Sequence, residues 1–153
     1  MKKWLLLGVV ALVFTGCENN KGAFLERVAS QNDLPTSVNK LLKIIDKKGM
    51  THFYTIDHAA NAKKAGMFLR PETVVVFGNP KAGTKLMECN PSMGLDLPLR
   101  MLFTTNYEGE TTITYTNPEY WSLKHNIKDK KCLGIIKKIN ITMQTIAAEV
   151  AAK

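Results

Sequence analysis

Thr73-Val74-Val75-Val76-Phe77-Gly78-Asn79-Pro80 is the stretch from which the architecture is read. Thr73–Phe77 is a continuous run of β-branched and aromatic side chains with no solvent face, as a central strand buried on both sides requires. Gly78 ends the run. Asn79 then suits a helix N-cap, because its side-chain oxygen can accept first-turn backbone N–H groups. Pro80 falls where a missing N–H costs nothing. The spacing predicts a helix over about Lys81–Cys89.

Upstream, Met50–Ile56 is rich in β-formers and predicts a strand. Asp57 caps a short Ala-rich helix, His58–Ala65, stopped by Gly66. Before it, Leu34, Val38, Leu41 and Ile45 recur at helical spacing behind an Asp33 cap, and Gly49 supplies the left-handed stop. Ala23–Ser30 reads as a first strand. Downstream, Arg70-Pro71 is a turn before the buried run, and Pro91–Asp96 is a loop. Pro98–Thr105 and Thr111–Thr116 are strands joined by a hairpin around Gly109. Asn117-Pro118 starts a short helix near Glu119–Lys124. A closing amphipathic helix carries Cys132, Ile136, Ile139, Met143, Ile146 and Val150 on one stripe. Strands interleaved with helices, then a hairpin and a final helix, predict an α+β two-layer sandwich. Its small, mostly antiparallel sheet has about five strands packed with helices. Residues 23–153 form one domain.

The chain begins differently. Lys2 and Lys3 precede an apolar run from Trp4 to Phe14, then Thr15, Gly16 and Cys17, the order of a secretory signal. This run falls short of the roughly 20 apolar residues that a membrane-spanning helix needs. Val13-Phe14-Thr15-Gly16-Cys17 resembles a bacterial lipobox. Residues 1–16 would then be removed and Cys17 would carry palmitate-type acyl chains, with residues 17–22 as a tether. The expected location is the cell envelope, anchored to a membrane and facing the periplasm. The formal charge of +8 favours anionic surfaces, here a membrane. The lysine pairs are scattered, as on solvated helix faces, so no nucleic-acid partner is expected.

Four blocks identify a relationship: Ile56-Asp57-His58-Ala59-Ala60; Leu69-Arg70-Pro71-Glu72-Thr73; Phe77-Gly78-Asn79-Pro80-Lys81-Ala82-Gly83-Thr84; and Gly94-Leu95-Asp96-Leu97-Pro98-Leu99-Arg100. Over about residues 24–126 the sequence resembles the bacterial and archaeal domain-of-unknown-function family 302. The resemblance implies a small α+β sandwich and a homodimer, and it implies no reaction.

Three chemistries fit the residues. In the first, Asp57-His58 and Gly78–Lys81 each follow a strand and open a helix. If those strands are neighbours, two helix N-termini point to one region suited to an anion. Asp57, His58, Asn79, Lys81 and Arg100 would then hold a small ligand without catalysis, or serve assembly. In the second, His58 with Met67 holds a metal or haem, with His52, His125, Met87, Met93 and Met101 as further candidates. In the third, Asp57-His58 is the acid/base pair of an enzyme. The sequence lacks Cys-x-x-Cys-His, Gly-x-Ser-x-Gly and His-Glu-x-x-His motifs. Cys89 and Cys132 are left as either a disulfide or two buried thiols.

Overall fold

The computed structural model describes residues 24–153, so the signal, Cys17 and the tether lie outside the described residues. The strands are β1 (Leu25–Ser30), β2 (Thr51–Asp57), β3 (Glu72–Gly78), β4 (Leu99–Thr105) and β5 (Thr111–Thr116). The helices are α1 (Leu34–Lys47), α2 (His58–Lys64), α3 (Pro80–Cys89), α4 (Trp121–Lys124) and α5 (Lys130–Ala151). The strands form one sheet in the order β1-β5-β4-β3-β2. Each neighbouring pair is antiparallel, so the expected mostly antiparallel sheet is wholly so among the described residues.

Short polar side chains start the helices. Asp33 Oδ1 accepts the Thr36 N–H at 2.8 Å, and Asp129 Oδ1 accepts the Cys132 N–H at 3.0 Å. Asn90 does the same for Ser92 at 2.9 Å and starts a 3-10 turn over Pro91–Leu95, where the sequence predicts only a loop. A further turn, Pro118–Tyr120, replaces the first residues of the helix expected near Glu119–Lys124.

The pleat sends alternate strand residues to one face. Val75 and Phe77, Met101 and Phe103, and Ile113 and Tyr115 are buried there. Leu41 and Ile45 of α1 and Ile136, Met143 and Ile146 of α5 join them in one core. The sheet is one layer and the helices the other, an α+β sandwich closed by the long C-terminal helix. Burial, with the charge of Glu26 nearby, pushes the Tyr115 hydroxyl up to about 12.

Candidate functional site

The turn from β3 into α3 builds one wall of a groove of about 860 Å³. That wall is α3, through Pro80, Ala82, Gly83 and Met87. Met50, Phe53, Leu97 and Leu99 line it at the starts of β2 and β4. The opposite wall is α5, through Ile135, Ile139, Thr142 and Thr145. Four lysines, Lys48, Lys81, Lys85 and Lys138, also line the groove. Lys48 pairs with Glu149 at 3.0 Å, whereas Lys81, Lys85 and Lys138 make no ion pair among the described residues. The trough is apolar along its length and carries three ammonium groups with no carboxylate partner among the described residues.

Asn79 and Lys81, two of the candidate ligand-binding residues, line this groove. Asn79 Oδ1 accepts the N–H groups of Lys81 and Ala82 at 3.0 and 3.3 Å, and its carbonyl accepts that of Gly83 at 2.9 Å. The protein thus satisfies these first-turn donors of α3 itself. An anion here meets the lysines rather than the backbone.

The expected convergence of two helix N-termini does not occur. β2 and β3 are neighbours but antiparallel: Thr51 faces Gly78 and Asp57 faces Thr73. Asp57 and His58 therefore sit one strand length away from Asn79, about 17 Å along the sheet. Asp57 Oδ1 caps α2 through the Ala60 N–H at 2.8 Å, and no hydrogen bond joins it to His58 among the described residues. Arg100 is exposed on β4 between the buried Leu99 and Met101, so it points to the other face of the sheet. These three residues form no site with Asn79 and Lys81. Among the described residues no three His, Cys, Asp or Glu side chains cluster as a metal site, and Met67 is exposed.

Cys89 and Cys132 are joined as a disulfide with a Cα–Cα distance of 6.4 Å. It ties the last residue of α3 to the first turn of α5, and so links the two walls of the groove. A polar cluster lies within the same loop. His125, only 3% exposed, holds Asp96 Oδ2 through Nε2 at 2.5 Å and Ser92 Oγ through Nδ1 at 2.6 Å. Lys124 donates to Asp96 Oδ1 at 2.9 Å. Nε2 thus meets the carboxylate and Nδ1 the serine hydroxyl, one partner at each ring nitrogen. This is the bonding order of a Ser-His-Asp relay, but Ser92 is not among the groove-lining residues. The cluster is a clamp between the 3-10 turn and α4. Sequence reasoning weighed His125 only as a ligand, because its partners lie about 30 residues away.

Burial pushes the Asp96 carboxyl up, but hydrogen bonds from Lys124 and His125, with their charges, outweigh it and hold the group below the usual carboxylate value. A carboxyl more acidic when folded than unfolded stabilises fully above the unfolded value, and that contribution is lost as pH falls through its own lower value. Asp96→Asn is therefore expected to flatten the acid limb of the stability curve, followed as the urea midpoint from neutral to acid pH. An unchanged acid limb would assign the acid sensitivity to other carboxylates.

Comparison with known proteins agrees with the architecture. A crystal structure of an uncharacterised conserved DUF302 protein from Bacillus stearothermophilus superposes with a TM-score of 0.74 at 16% identity, over 83% of this chain and 98% of that one. Proteins named fluoride-specific ion channel FluC 1, from Brucella suis and Brucella abortus, are each 33% identical over 103 residues. That is 67% of this chain but only 41% and 38% of those proteins, so the chain spans about two-fifths of their length. The model of the family described as "Domain of unknown function DUF302" matches residues 26–150, and the chain belongs to that family.

Proposed function

We propose that this domain is a non-enzymatic binding module held at a cell-envelope membrane through Cys17, and that its groove takes a small amphiphilic anion. The ligand class is an alkyl chain ending in a carboxylate or phosphate. The observation that carries the reading is the apolar trough between α3 and α5 with Lys81, Lys85 and Lys138 unpaired along it. The curated relatives are named as ion channels, which supports a membrane setting for domains of this kind. The alternatives have less behind them: Asp57 is engaged as a cap, and among the described residues His58 belongs to no cluster of three His, Cys, Asp or Glu side chains.

Calorimetric titration of the exported Cys17→Ser protein tests this. Dodecyl phosphate is expected to bind with a Kd of roughly 1–100 μM, from about 0.3–0.5 kcal/mol per non-hydrogen atom. Dodecyltrimethylammonium and inorganic phosphate are expected to bind far more weakly. Lys81→Glu combined with Lys85→Glu should weaken dodecyl phosphate about tenfold or more, and Thr142→Trp should obstruct the trough. Equal affinity for the two dodecyl compounds would remove the anionic part of the reading, and no binding of either would sink it.

A further inference from the structure

Resting on that reading, we infer that the groove-bearing end of the sheet faces the membrane, and that the groove's occupant is an anionic lipid of that membrane. The direction of the strands carries the argument. Leu25 pairs with Thr116, Leu102 with Thr114, Arg100 with Val76 and Thr51 with Gly78. The start of β1 is therefore at the same end of the sheet as Gly78, Leu99 and Thr51, where the groove is built. The chain enters the domain at the groove end and not at the end that holds Asp57 and the β4–β5 hairpin.

Lengths agree with this placement. Three strand spacings separate β1 from β3 in the sheet order, about 14 Å. The seven residues from Cys17 to Phe24 reach at most about 24 Å. An acylated Cys17 thus holds the groove within one tether length of the lipid surface. Charge points the same way. Asp33, Asp57, Glu72, Glu108 and Glu110 fall at the opposite end, by their places at strand and helix termini, against Glu26, Asp96 and Glu119 at the groove end. Lys81, Lys85 and Lys138, unpaired among the described residues, line the groove itself. An anionic leaflet attracts these lysines and repels the carboxylates of the far end.

The opposite end does offer one competitor. Met67, Phe68 and Leu69 are exposed there beside Lys63, Lys64 and Arg70, with Phe68 89% exposed. A domain lying on that loop would point its groove away from the lipid, and the experiment is built to separate the two orientations.

The test uses the full acylated chain in vesicles of equal phosphatidylglycerol and phosphatidylcholine. An environment-sensitive dye is placed on one introduced cysteine at a time: Thr84→Cys on the groove, Phe68→Cys on the competing loop, and Glu108→Cys on the hairpin. Acylated Cys17 and the bonded Cys89 and Cys132 do not take the dye. At position 84 the dye is expected to shift to the blue and to be quenched several-fold by lipids with brominated acyl chains. Both effects should fall in pure phosphatidylcholine. The dyes at 68 and 108 should stay in water. Stronger quenching at 68 or 108 than at 84 overturns the orientation, as does a mass spectrum with no acyl group on Cys17.

The dodecyl phosphate titration is read beside it. Binding in solution with a silent position 84 leaves the binding module standing and removes the membrane as source. Quenching at 84 without any binding of dodecyl phosphate removes lipid from the groove.

Discussion

Replacing Cys89 by serine and Cys132 by alanine in one protein is expected to lower the unfolding free energy by about 4 kcal/mol. Alanine suits position 132 because the side chain there is 8% exposed and a hydroxyl would be buried. The size follows from the loop: the bond joins residues 43 apart, and cross-linking a loop of that length removes a corresponding share of the unfolded chain's entropy. For a domain of this size the melting temperature should fall by about 15 °C, measured by scanning calorimetry. The same variant should bind dodecyl phosphate less tightly, because the bond links the two walls of the groove. A loss below about 1 kcal/mol would mean that other contacts already hold this loop together in the unfolded chain.

His125→Ala is expected to cost about 3 kcal/mol, measured by urea unfolding. Three terms add: lost packing of a buried ring, the hydrogen bond to Ser92, and the charge-assisted bond that leaves Asp96 without its inner partner. Asp96 keeps only Lys124, which is 56% exposed and worth little on its own. Ser92→Ala should cost about 1 kcal/mol, since one neutral hydrogen bond is lost. That ranking separates a clamp from a relay: a catalytic serine would show its main effect in turnover, and a clamp shows the histidine's effect in stability. Because Cys89 and Cys132 flank the same segment, His125→Ala and the disulfide variant should not be additive in a double-mutant cycle. Strict additivity would show that clamp and disulfide stabilise separate parts of the molecule.

The local grammar of the chain was legible from residue types. Thr73–Phe77 is a buried strand next to the centre of the sheet, and Asp33, Asp57 and Asn79 cap the helices they precede. Those signals act within three or four residues, so a sequence carries them whole. Strand direction is different. The β-former content of Met50–Ile56 reads the same for a parallel or an antiparallel neighbour, and the antiparallel choice sent Asp57 and Asn79 to opposite ends. The groove was half legible. Asn79 and Lys81 stood out by their turn chemistry, whereas Ile135, Ile139 and Thr142 look like more of the core stripe of α5. Only the position of α3 shows that this flank of the helix is incompletely covered. Ser92, Asp96 and His125 are ordinary residues singly, and only the fold brings them within hydrogen-bonding distance.

The pairing of β1 with β5 has a consequence for the birth of the molecule. Leu25 must wait for Thr116, 91 positions later, before it has a neighbour to bond. The first strand made is among the last to be placed. Until β5 has followed it, at the ribosome and again beyond the membrane if the chain is exported as proposed, β1 keeps its backbone groups open to any other strand edge. Pairings this distant also slow the search itself. Crowded synthesis should therefore punish this chain more than its modest length suggests, and a chaperone that covers the first strand until the β4–β5 hairpin exists would raise the yield of folded protein.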